Sequence, residues 1–260
     1  MPDTDFAKRY GRWALILGGS EGVGASFAHL LAARGLDLLL VARKPGPLEE
    51  TAAQVRTASG CEVRTLSADL TAPDAVDRIA AFAGDAEIGL LIYNAGAESR
   101  FLDFLDRPVE DSQRMAALNV TTPIALVHRF AGQMAARGRG GFILVSSVAG
   151  VAGCPGNAVY SASKAFSNGF AEALWHELKP RGIDMLGLVL GLTHTPAMER
   201  MGLKLEGAAD AGAVAAEGLD HLGDGPTRFA AGTGPGAAHL RTLDRGEAVL
   251  AMAGASSALH

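Results

Sequence analysis

The segment Tyr160-Ser-Ala-Ser-Lys164 carries a tyrosine and a lysine four residues apart. In a helix this spacing places both side chains on one face. A lysine ammonium beside a phenol favours the phenolate and lowers the tyrosine pKa from its usual value of about 10. Such a tyrosine can give or take the proton of an alcohol or ketone as a general acid or base. An exposed helix pair without a role is the alternative, and the surrounding residues argue against it.

Two further polar residues could act beside this pair. Ser147 follows the predicted strand Phe142–Val145 and stands thirteen residues before Tyr160. It would lie at the carboxyl end of that strand, where open α/β sheets bind ligands, and its hydroxyl can donate to an oxygen that gains negative charge. Asn119 falls inside a predicted helix over 108–137, although asparagine is a poor helix former. A polar residue that works against its local structure indicates a role beyond local packing.

A glycine-rich segment, Gly18-Gly-Ser-Glu-Gly-Val-Gly24, lies between the predicted strand Trp13–Leu17 and the predicted helix Ala25–Arg34. The start of a helix offers free backbone N–H groups and the positive end of its dipole, which suit a pyrophosphate. Glycines without Cβ atoms let the backbone approach such a ligand closely. The segment therefore predicts dinucleotide binding, and an ordinary tight turn is the alternative.

The end of the next predicted strand, Leu36–Val41, indicates which dinucleotide binds. NAD-preferring folds place an acidic residue there to bind the adenosine ribose, whereas an arginine can hold a 2′-phosphate. The chain continues with Ala42-Arg43-Lys44 and has no carboxylate at that point. NADP(H) is therefore the predicted cofactor, and NAD(H) is less favoured. Glu21 argues mildly against this because its charge lies near the same phosphate region, and a solvated arginine at a strand end is the alternative.

Apolar segments of strand length alternate with segments of helix length along the chain. The near-continuous apolarity of the strands is what burial on both faces requires. The alternation predicts an α/β fold, a single doubly wound, Rossmann-like parallel sheet with helices on both faces. The remaining predicted elements are the strands Glu62–Leu66, Ile88–Tyr93, Ile183–Leu190 and Thr227–Ala230, and the helices 47–58, 73–83 and 157–179.

Composition and charge limit the class of protein. Of 260 residues, 48% are hydrophobic and 20% are charged, which argues against a disordered chain and predicts one domain over 1–260. The 33 glycines, about 13% of the chain against about 7% typically, must serve turns and close backbone approaches. The net charge of −5 disfavours nucleic acid and anionic membranes as partners.

The cysteines and the chain start bear on location. Cys61 and Cys154 cannot build a disulfide scaffold and lack metal-ligand spacing, so we predict no metal site and a reducing compartment. The first five residues lack the pattern of a signal peptide, and no apolar run approaches the ~18 residues of a membrane helix. These observations favour a cytoplasmic protein without a membrane partner.

Together the motifs resemble the short-chain dehydrogenase/reductase family, to about residue 200, in the family's order and at its separations. Gly18-x-x-x-Gly22-x-Gly24 is similar to its cofactor loop, Asp69-Leu-Thr71 to its adenine-contacting segment and Asn94-Ala-Gly96 to its fourth-strand motif. The resemblance implies cofactor contacts from Gly18, Ser20, Glu21, Gly22, Val23, Gly24, Arg43, Asp69, Leu70, Asn94, Ala95, Gly96, Tyr160, Lys164, Gly191, Thr193 and Thr195.

By the same resemblance, Asn119, Ser147, Tyr160 and Lys164 match the family's catalytic tetrad. Tyr160 would be the proton donor and acceptor, and Lys164 would also hold the nicotinamide ribose. Ser147 would orient the substrate oxygen, and Asn119 would support a water-linked proton relay.

Three residues depart from the family's pattern. Leu17 stands where threonine is usual, Tyr93 where a first asparagine is common, and Leu190 where proline usually precedes Gly191. None of these changes removes a catalytic group. The resemblance also implies a substrate lid over about 192–207.

The predicted lid is rich in apolar side chains, which suit a lipophilic ketone or alcohol. Packing of those side chains on their own protein is an equal alternative. The apolar residues in question are Leu192, Met198, Met201, Leu203 and Leu205.

The leading hypothesis is an NADP(H)-dependent oxidoreductase that interconverts a ketone and a secondary alcohol on a lipophilic small molecule. A non-catalytic dinucleotide-binding redox regulator is the alternative, and an isomerase or epimerase of the same fold is less favoured. The family resemblance also implies a homodimer or homotetramer built through helices 108–137 and 157–179. Small residues on the second helix, Ala162, Ala165, Gly169 and Ala173, would allow close approach of a partner or could equally pack on the sheet.

Overall fold

The computed structural model describes residues 4–97 and 100–258. Every predicted site residue lies within these ranges, whereas 1–3, 98–99 and 259–260 of the predicted domain lie outside the described residues.

A seven-stranded parallel sheet forms the centre of the described residues. This confirms the predicted doubly wound sheet. The strands are β1 (Trp13–Leu17), β2 (Asp37–Ala42), β3 (Val63–Ser67), β4 (Ile88–Tyr93), β5 (Gly140–Ser147), β6 (Ile183–Leu190) and β9 (Thr227–Phe229). They lie side by side in the order β3-β2-β1-β4-β5-β6-β9. Two short strands, β7 (Thr193–His194) and β8 (Ala209–Asp210), pair separately.

The strand order reverses between β1 and β4. From β1 the chain runs outward through β2 to β3, and it then returns to β4 on the other side of β1. The carboxyl ends of these two strands therefore border a crevice, which is where open α/β sheets bind ligands. The glycine-rich segment follows β1, and Asn94 follows β4.

Helices cover both faces of the sheet, which explains why the strands are apolar at nearly every position. Ala14 and Ile16 of β1 pack in one buried cluster, whereas Leu15 and Leu17 pack in another on the opposite face. The first cluster includes α2 (Gly22–Ala33), α3 (Pro45–Ser59) and α9 (Ala211–Asp220), and the second includes α4 (Ala75–Ala83), α6 (Thr122–Arg137) and α7 (Ala158–Leu178).

The long helix predicted over 108–137 is interrupted. It consists of α5 (Val109–Ala116), one π-helical turn (Ala117–Thr121) and α6. Pro123 supplies the physical reason, because a proline inside a helix has no N–H to donate to the carbonyl four residues earlier and its ring collides with that carbonyl. The wider π-helical turn accommodates it, and such turns recur at functional sites.

Five α-helices of the described residues lie outside the predicted helices. They are α1 (Thr4–Tyr10), α8 (Pro196–Arg200), α9, α10 (Gly234–Thr242) and α11 (Arg245–Ser257). Helix α11 begins with a capping box between Asp244 and Glu247, in which each side chain bonds the other's backbone. Ala248 and Met252 of α11 pack against the segment that follows β5. Within the described residues, no helix combines the length and apolarity that crossing a bilayer requires.

Candidate active site

Tyr160 and Lys164 lie in the first turns of α7, on the same side of the helix. The Lys164 ammonium nitrogen is 5.5 Å from the centre of the Tyr160 ring. Lys164 is 4% exposed, and its Nζ donates a hydrogen bond to the Val145 carbonyl at 3.1 Å. Burial removes water from the ammonium, which lowers the pKa of Lys164 to about 8.

The end of β5 holds Ser147 against the start of α7. Ser146 is buried, and its hydroxyl donates to the Lys164 backbone carbonyl at 3.1 Å. The next residue, Ser147, alternates to the other side, where its Oγ accepts from the Ala149 N–H at 3.2 Å. In that bond the Ser147 hydroxyl acts as an acceptor, so its own hydrogen remains available for a ligand oxygen.

These side chains line a cavity of about 500 Å³ together with the glycine-rich segment. The cavity therefore brings a phosphate-binding type of loop to the same space as a hydroxyl, a phenol and an ammonium. The predicted site residues along its wall are Gly18, Ser20, Glu21, Gly22, Val23, Asn94, Ala95, Gly96, Ser147, Tyr160, Lys164, Gly191, Thr193 and Thr195.

The rest of the wall is mainly apolar. Four of the five apolar residues of the predicted lid line the cavity, namely Leu192, Met198, Met201 and Leu203, whereas Leu205 does not. Phe101 and Val148 complete this side. These lid side chains thus border the space where a ligand would sit, which favours the first of the two explanations of their apolar composition.

A second cavity of about 650 Å³ adjoins the first at Gly18, Ser20 and Glu21. Arg43, Asp69 and Leu70 line it. Together the two cavities form one cleft along the carboxyl ends of the strands. Arg43, Asp69 and Leu70 line the end of this cleft that lies away from Tyr160.

Asp69 is already engaged within the protein. Its carboxylate accepts hydrogen bonds from Arg114 at 2.9 Å and from the N–H and hydroxyl of Thr71 at 3.0 and 2.8 Å. The Arg114 guanidinium, helped by Thr71, lowers the pKa of Asp69 to about 2. The carboxylate is therefore ionised and fixed in place at the cleft wall.

Two predicted site residues stand behind the wall. Gly24 is buried in α2, and a Cβ there would lie 1.9 Å from the Gly18 carbonyl oxygen, so this glycine serves the packing of the loop. Asn119 is 2% exposed, and it packs on Gly96, where a Cβ would lie 2.1 Å from the Asn119 Oδ1. Neither residue lines either cavity.

The π-helical turn holds Asn119 in this position. The Tyr93 hydroxyl donates a hydrogen bond to the Leu118 carbonyl at 2.5 Å, and the Asn119 amide donates to the Met115 carbonyl at 3.2 Å. Burial raises the pKa of Tyr93, which keeps its hydroxyl protonated as a donor. The unusual residue at position 93 thus ties the end of β4 to the turn that carries Asn119.

Sequence reasoning missed part of the wall. Met252, Ala255 and Ser256 of α11 line the cavity, and no motif marks them. Asn157 also lines it and is buried, yet its Oδ1 has no hydrogen-bond partner among the described residues. An asparagine just before a helix normally indicates a cap, but this one makes no side-chain cap bond. The sequence position of Asn157 suggests a cap, and only the structure shows that this residue lines the cavity instead.

The cleft fits a nicotinamide dinucleotide. Lys164 uses one of its three donors on the protein among the described contacts, so two can bind ligand hydroxyls. Glu21, the residue that precedes α2, lines both cavities, and the first turn of α2 provides N–H groups for phosphates. Within the described residues, no group of three or more His, Cys, Asp and Glu is arranged to hold a metal ion.

Comparison with known proteins identifies the family. Residues 12–205 match the family model described as short chain dehydrogenase. The chain therefore belongs to the short-chain dehydrogenase family, as its motifs predicted. It is an oxidoreductase that acts on CH–OH groups, interconverts alcohols and ketones and binds a nicotinamide dinucleotide.

Two relatives with known activities are similar in sequence. The 7beta-hydroxysteroid dehydrogenase of Collinsella aerofaciens is 35% identical over 191 residues, which cover 74% of this chain and 72% of the relative. The very-long-chain 3-oxoacyl-CoA reductase of Macaca fascicularis is 31% identical over 176 residues, which cover 66% of this chain and 56% of the relative.

Solved structures extend the similarity. A structure from a study of 7beta-hydroxysteroid dehydrogenase stereoselectivity has a TM-score of 0.87 at 28% identity and covers 95% of this chain and 98% of that one. A short-chain dehydrogenase from Sphingobium yanoikuyae in complex with NADPH has a TM-score of 0.78 at 30% identity, covering 89% and 94%. The first similarity reaches past residue 205 into the C-terminal helices, beyond the segment that matches the family model.

Proposed function

We propose that this protein is an NADP(H)-dependent enzyme that interconverts a ketone and a secondary alcohol on a bulky lipophilic molecule. One observation carries the proposal. The same cavity joins Ser147, Tyr160 and Lys164 to the glycine-rich segment, and the rest of its wall is mainly apolar. A catalytic end and a lipophilic end thus share one space.

In the proposed reaction, Tyr160 gives the carbonyl oxygen its proton in reduction and removes that proton in oxidation. The Ser147 hydroxyl donates a hydrogen bond to the same oxygen as it gains charge. Lys164 stabilises the Tyr160 phenolate through its ammonium and binds the nicotinamide ribose. A bound nicotinamide cofactor supplies or accepts the hydride.

Asn119 is proposed as a residue that supports the proton relay from behind the wall. Its side chain packs on Gly96 and is held by the π-helical turn. A water-linked relay to Lys164 through this position is what the family resemblance implies, and the interruption of the helix at Asn119 supports a function there.

The preference for NADP(H) is proposed from Arg43 and Lys44, the adjacent exposed cations after β2. The charge of Glu21, which argued against a phosphate, is neutralised by an ion pair with Arg200. Replacing Arg43 by alanine should weaken NADPH binding about tenfold and leave NADH binding unchanged, since a guanidinium–phosphate contact is worth about 1–3 kcal/mol. Equal NADPH affinity in both proteins, measured by fluorescence titration, would remove Arg43 from this role.

A hydroxysteroid or its ketone is the first substrate to test, because the relatives include 7beta-hydroxysteroid dehydrogenases. The purified protein should oxidise NADPH faster than NADH with a 7-oxosteroid, and more slowly with a 3-oxoacyl thioester or a small ketone. A higher rate with the thioester would redirect the proposal towards the second group of relatives. Dinucleotide binding without turnover of any ketone or alcohol would favour a redox regulator.

A homodimer or homotetramer is also proposed. The small residues Ala162, Ala165, Gly169 and Ala173 are all exposed on α7, so they do not pack on the sheet within the described chain. Ile124 of α6 is 40% exposed as well. Sedimentation should detect a species of two or four chains, and a monomer at all concentrations would refute the proposal.

A cytoplasmic location is proposed on chemical grounds. Cys61 and Cys154 are both free thiols, and burial raises the pKa of each. Unpaired thiols fit a reducing compartment. Cell fractionation would test the location directly, and recovery outside the cytoplasm would contradict it.

A further inference from the structure

An ion pair spans the cleft between the glycine-rich segment and the lid. Arg200, the last residue of α8, bonds both oxygens of Glu21, with Nη1–Oε2 at 2.9 Å and Nη2–Oε1 at 2.5 Å. The two residues are 179 positions apart in the chain. This two-point geometry is the strongest form of an arginine–carboxylate contact, and it fixes direction as well as distance.

The beginning of the lid touches the same segment. Gly22, next to Glu21, has a φ of +57° and packs so closely on Thr195 that a Cβ would lie 2.9 Å from the Thr195 Cγ2. Thr195 caps α8, because its Oγ1 accepts from the Met198 N–H at 3.3 Å. Helix α8 is thus attached to the dinucleotide loop at its first turn by packing and at its last residue by charge.

The lid helix separates the two cavities of the cleft. Ala197 and Met201 line both cavities, whereas Met198 lines only the cavity that contains Tyr160. Glu21 also borders both. The ion pair therefore lies where the dinucleotide would pass from one cavity to the other, and the side chains it holds in place belong to the substrate wall.

We propose that Glu21 and Arg200 are positioning residues whose ion pair holds the substrate lid closed against the dinucleotide loop. The ion pair links binding of the ketone to binding of the dinucleotide. The same contact that holds the lid closed over the ketone neutralises the Glu21 carboxylate beside the phosphates of the dinucleotide. Neither residue contacts the reacting atoms. This inference rests on the proposed function only where the ketone is concerned.

The two partners are not equivalent towards the cofactor. Loss of Arg200 leaves an unpaired carboxylate at the start of α2, which repels the phosphates that bind there. Loss of Glu21 leaves a guanidinium near the same phosphates, which attracts them. Either loss frees the lid, but the two losses act on dinucleotide affinity in opposite directions.

The test uses the full chain and the variants E21Q, R200Q, R200K and E21Q/R200Q. R139Q is the matched control, since Arg139 pairs with Glu87 at 2.8 Å beside the opposite end of the sheet. The first readout is amide hydrogen exchange over 196–203 without cofactor or substrate. The second is the NADPH dissociation constant from fluorescence titration, and the third separates the ketone KM from kcat.

We expect exchange over 196–203 to be about threefold faster in E21Q and R200Q, a size typical of a partly exposed ion pair, and no faster in the double variant. R200K should restore part of the protection. NADPH should bind about threefold more weakly to R200Q and at least as tightly to E21Q. The ketone KM should rise about threefold in both, with kcat changed less.

Unchanged exchange in E21Q and R200Q, additive effects in the double variant, or the same changes in R139Q would overturn the lid assignment. Equal weakening of NADPH binding by E21Q and R200Q would overturn the charge argument. A wild-type protein that turns over no ketone would refute the proposed function instead, and the exchange measurement would still decide on the ion pair.

Discussion

Three glycines around the dinucleotide cleft differ from a glycine of the last helix in how closely other atoms pack on them. In the dinucleotide region, residues 13–164, a Cβ at Gly18, Gly24 or Gly96 would lie 2.8, 1.9 or 2.1 Å from another atom. In the lid-and-helix region, residues 192–257, Gly254 of α11 has no other atom within 4 Å of that position, and its φ is not positive. The three glycines of the first region are required by close packing around the cleft, whereas Gly254 leaves room for a side chain.

The same contrast applies to polar side chains. Lys164 and Asn119 are buried beside the cleft and are held by backbone carbonyls. The cavity wall of the lid-and-helix region relies mainly on apolar contacts, such as those of Met201 and Met252. Chemistry constrains residue type in the first region, while the second needs mainly shape and apolar surface. The difference can be tested by substitutions in each region.

The largest expected effect concerns the buried charge of Lys164. Its pKa is lowered from 10.5 to about 8, so below pH 8 the folded protein carries a buried ammonium at a cost in stability. Between pH 8 and 10.5 the unfolded chain binds more protons than the folded one, so this cost is relieved as the pH rises. K164M lacks the group, and its free energy of unfolding relative to wild type should fall by about 3 kcal/mol from pH 7 to 10.5.

Chemical denaturation of both proteins at several pH values, without cofactor, measures this difference. The Val145 carbonyl loses its partner in K164M, but that loss is independent of pH and shifts all points equally. A stability difference that does not change with pH would show that Lys164 is not held with a depressed pKa.

A second prediction compares one glycine from each region. G24A places a methyl group against the Gly18 backbone and should lower the free energy of unfolding by about 2 kcal/mol, as overpacking does. G254A, inside α11 with open space around it, should raise it by about 0.7 kcal/mol, because alanine favours a helix. Urea unfolding of both variants is the measurement. Similar effects at the two sites would contradict the contrast between the regions.

The smallest effect is expected at the substrate wall. M252A removes apolar surface from the cavity, so the KM of a bulky ketone should rise about fivefold, equivalent to roughly 1 kcal/mol of lost contact. The KM of a small ketone should stay within about twofold. L250A is the control, since Leu250 lies on the same helix but is 74% exposed. An equal rise for both ketones, or the same rise in L250A, would exclude α11 from substrate selection.

The sequence predicted the sheet and the family because buried strands and cofactor motifs restrict residue type. Strands predicted from apolar runs, such as Ile88–Tyr93, agree with the structure within one or two residues. The motif residues from Gly18 to Thr195 line one cleft or, like Gly24 and Asn119, pack directly behind its wall. Their individual roles remain predictions.

Other features could not be predicted in the same way. Pro123 inside the predicted helix 108–137 was a usable signal for the π-helical turn, since proline removes a helical hydrogen bond. Helix α11 gave a weaker signal, because its alanines, glycines and serines carry little periodicity. The ion pair of Glu21 with Arg200 joins residues 179 positions apart, and no local pattern specifies such a contact.

The most direct test of the central claim is the Y160F variant. Turnover of a ketone with NADPH and the NADPH dissociation constant should be measured on the same preparations of wild type and variant. Loss of the phenol proton should reduce turnover by at least about a hundredfold, because general acid catalysis contributes about 10²–10⁴. NADPH affinity should stay within about twofold. Turnover retained near the wild-type rate would contradict the assignment of Tyr160 and, with it, the proposed reaction.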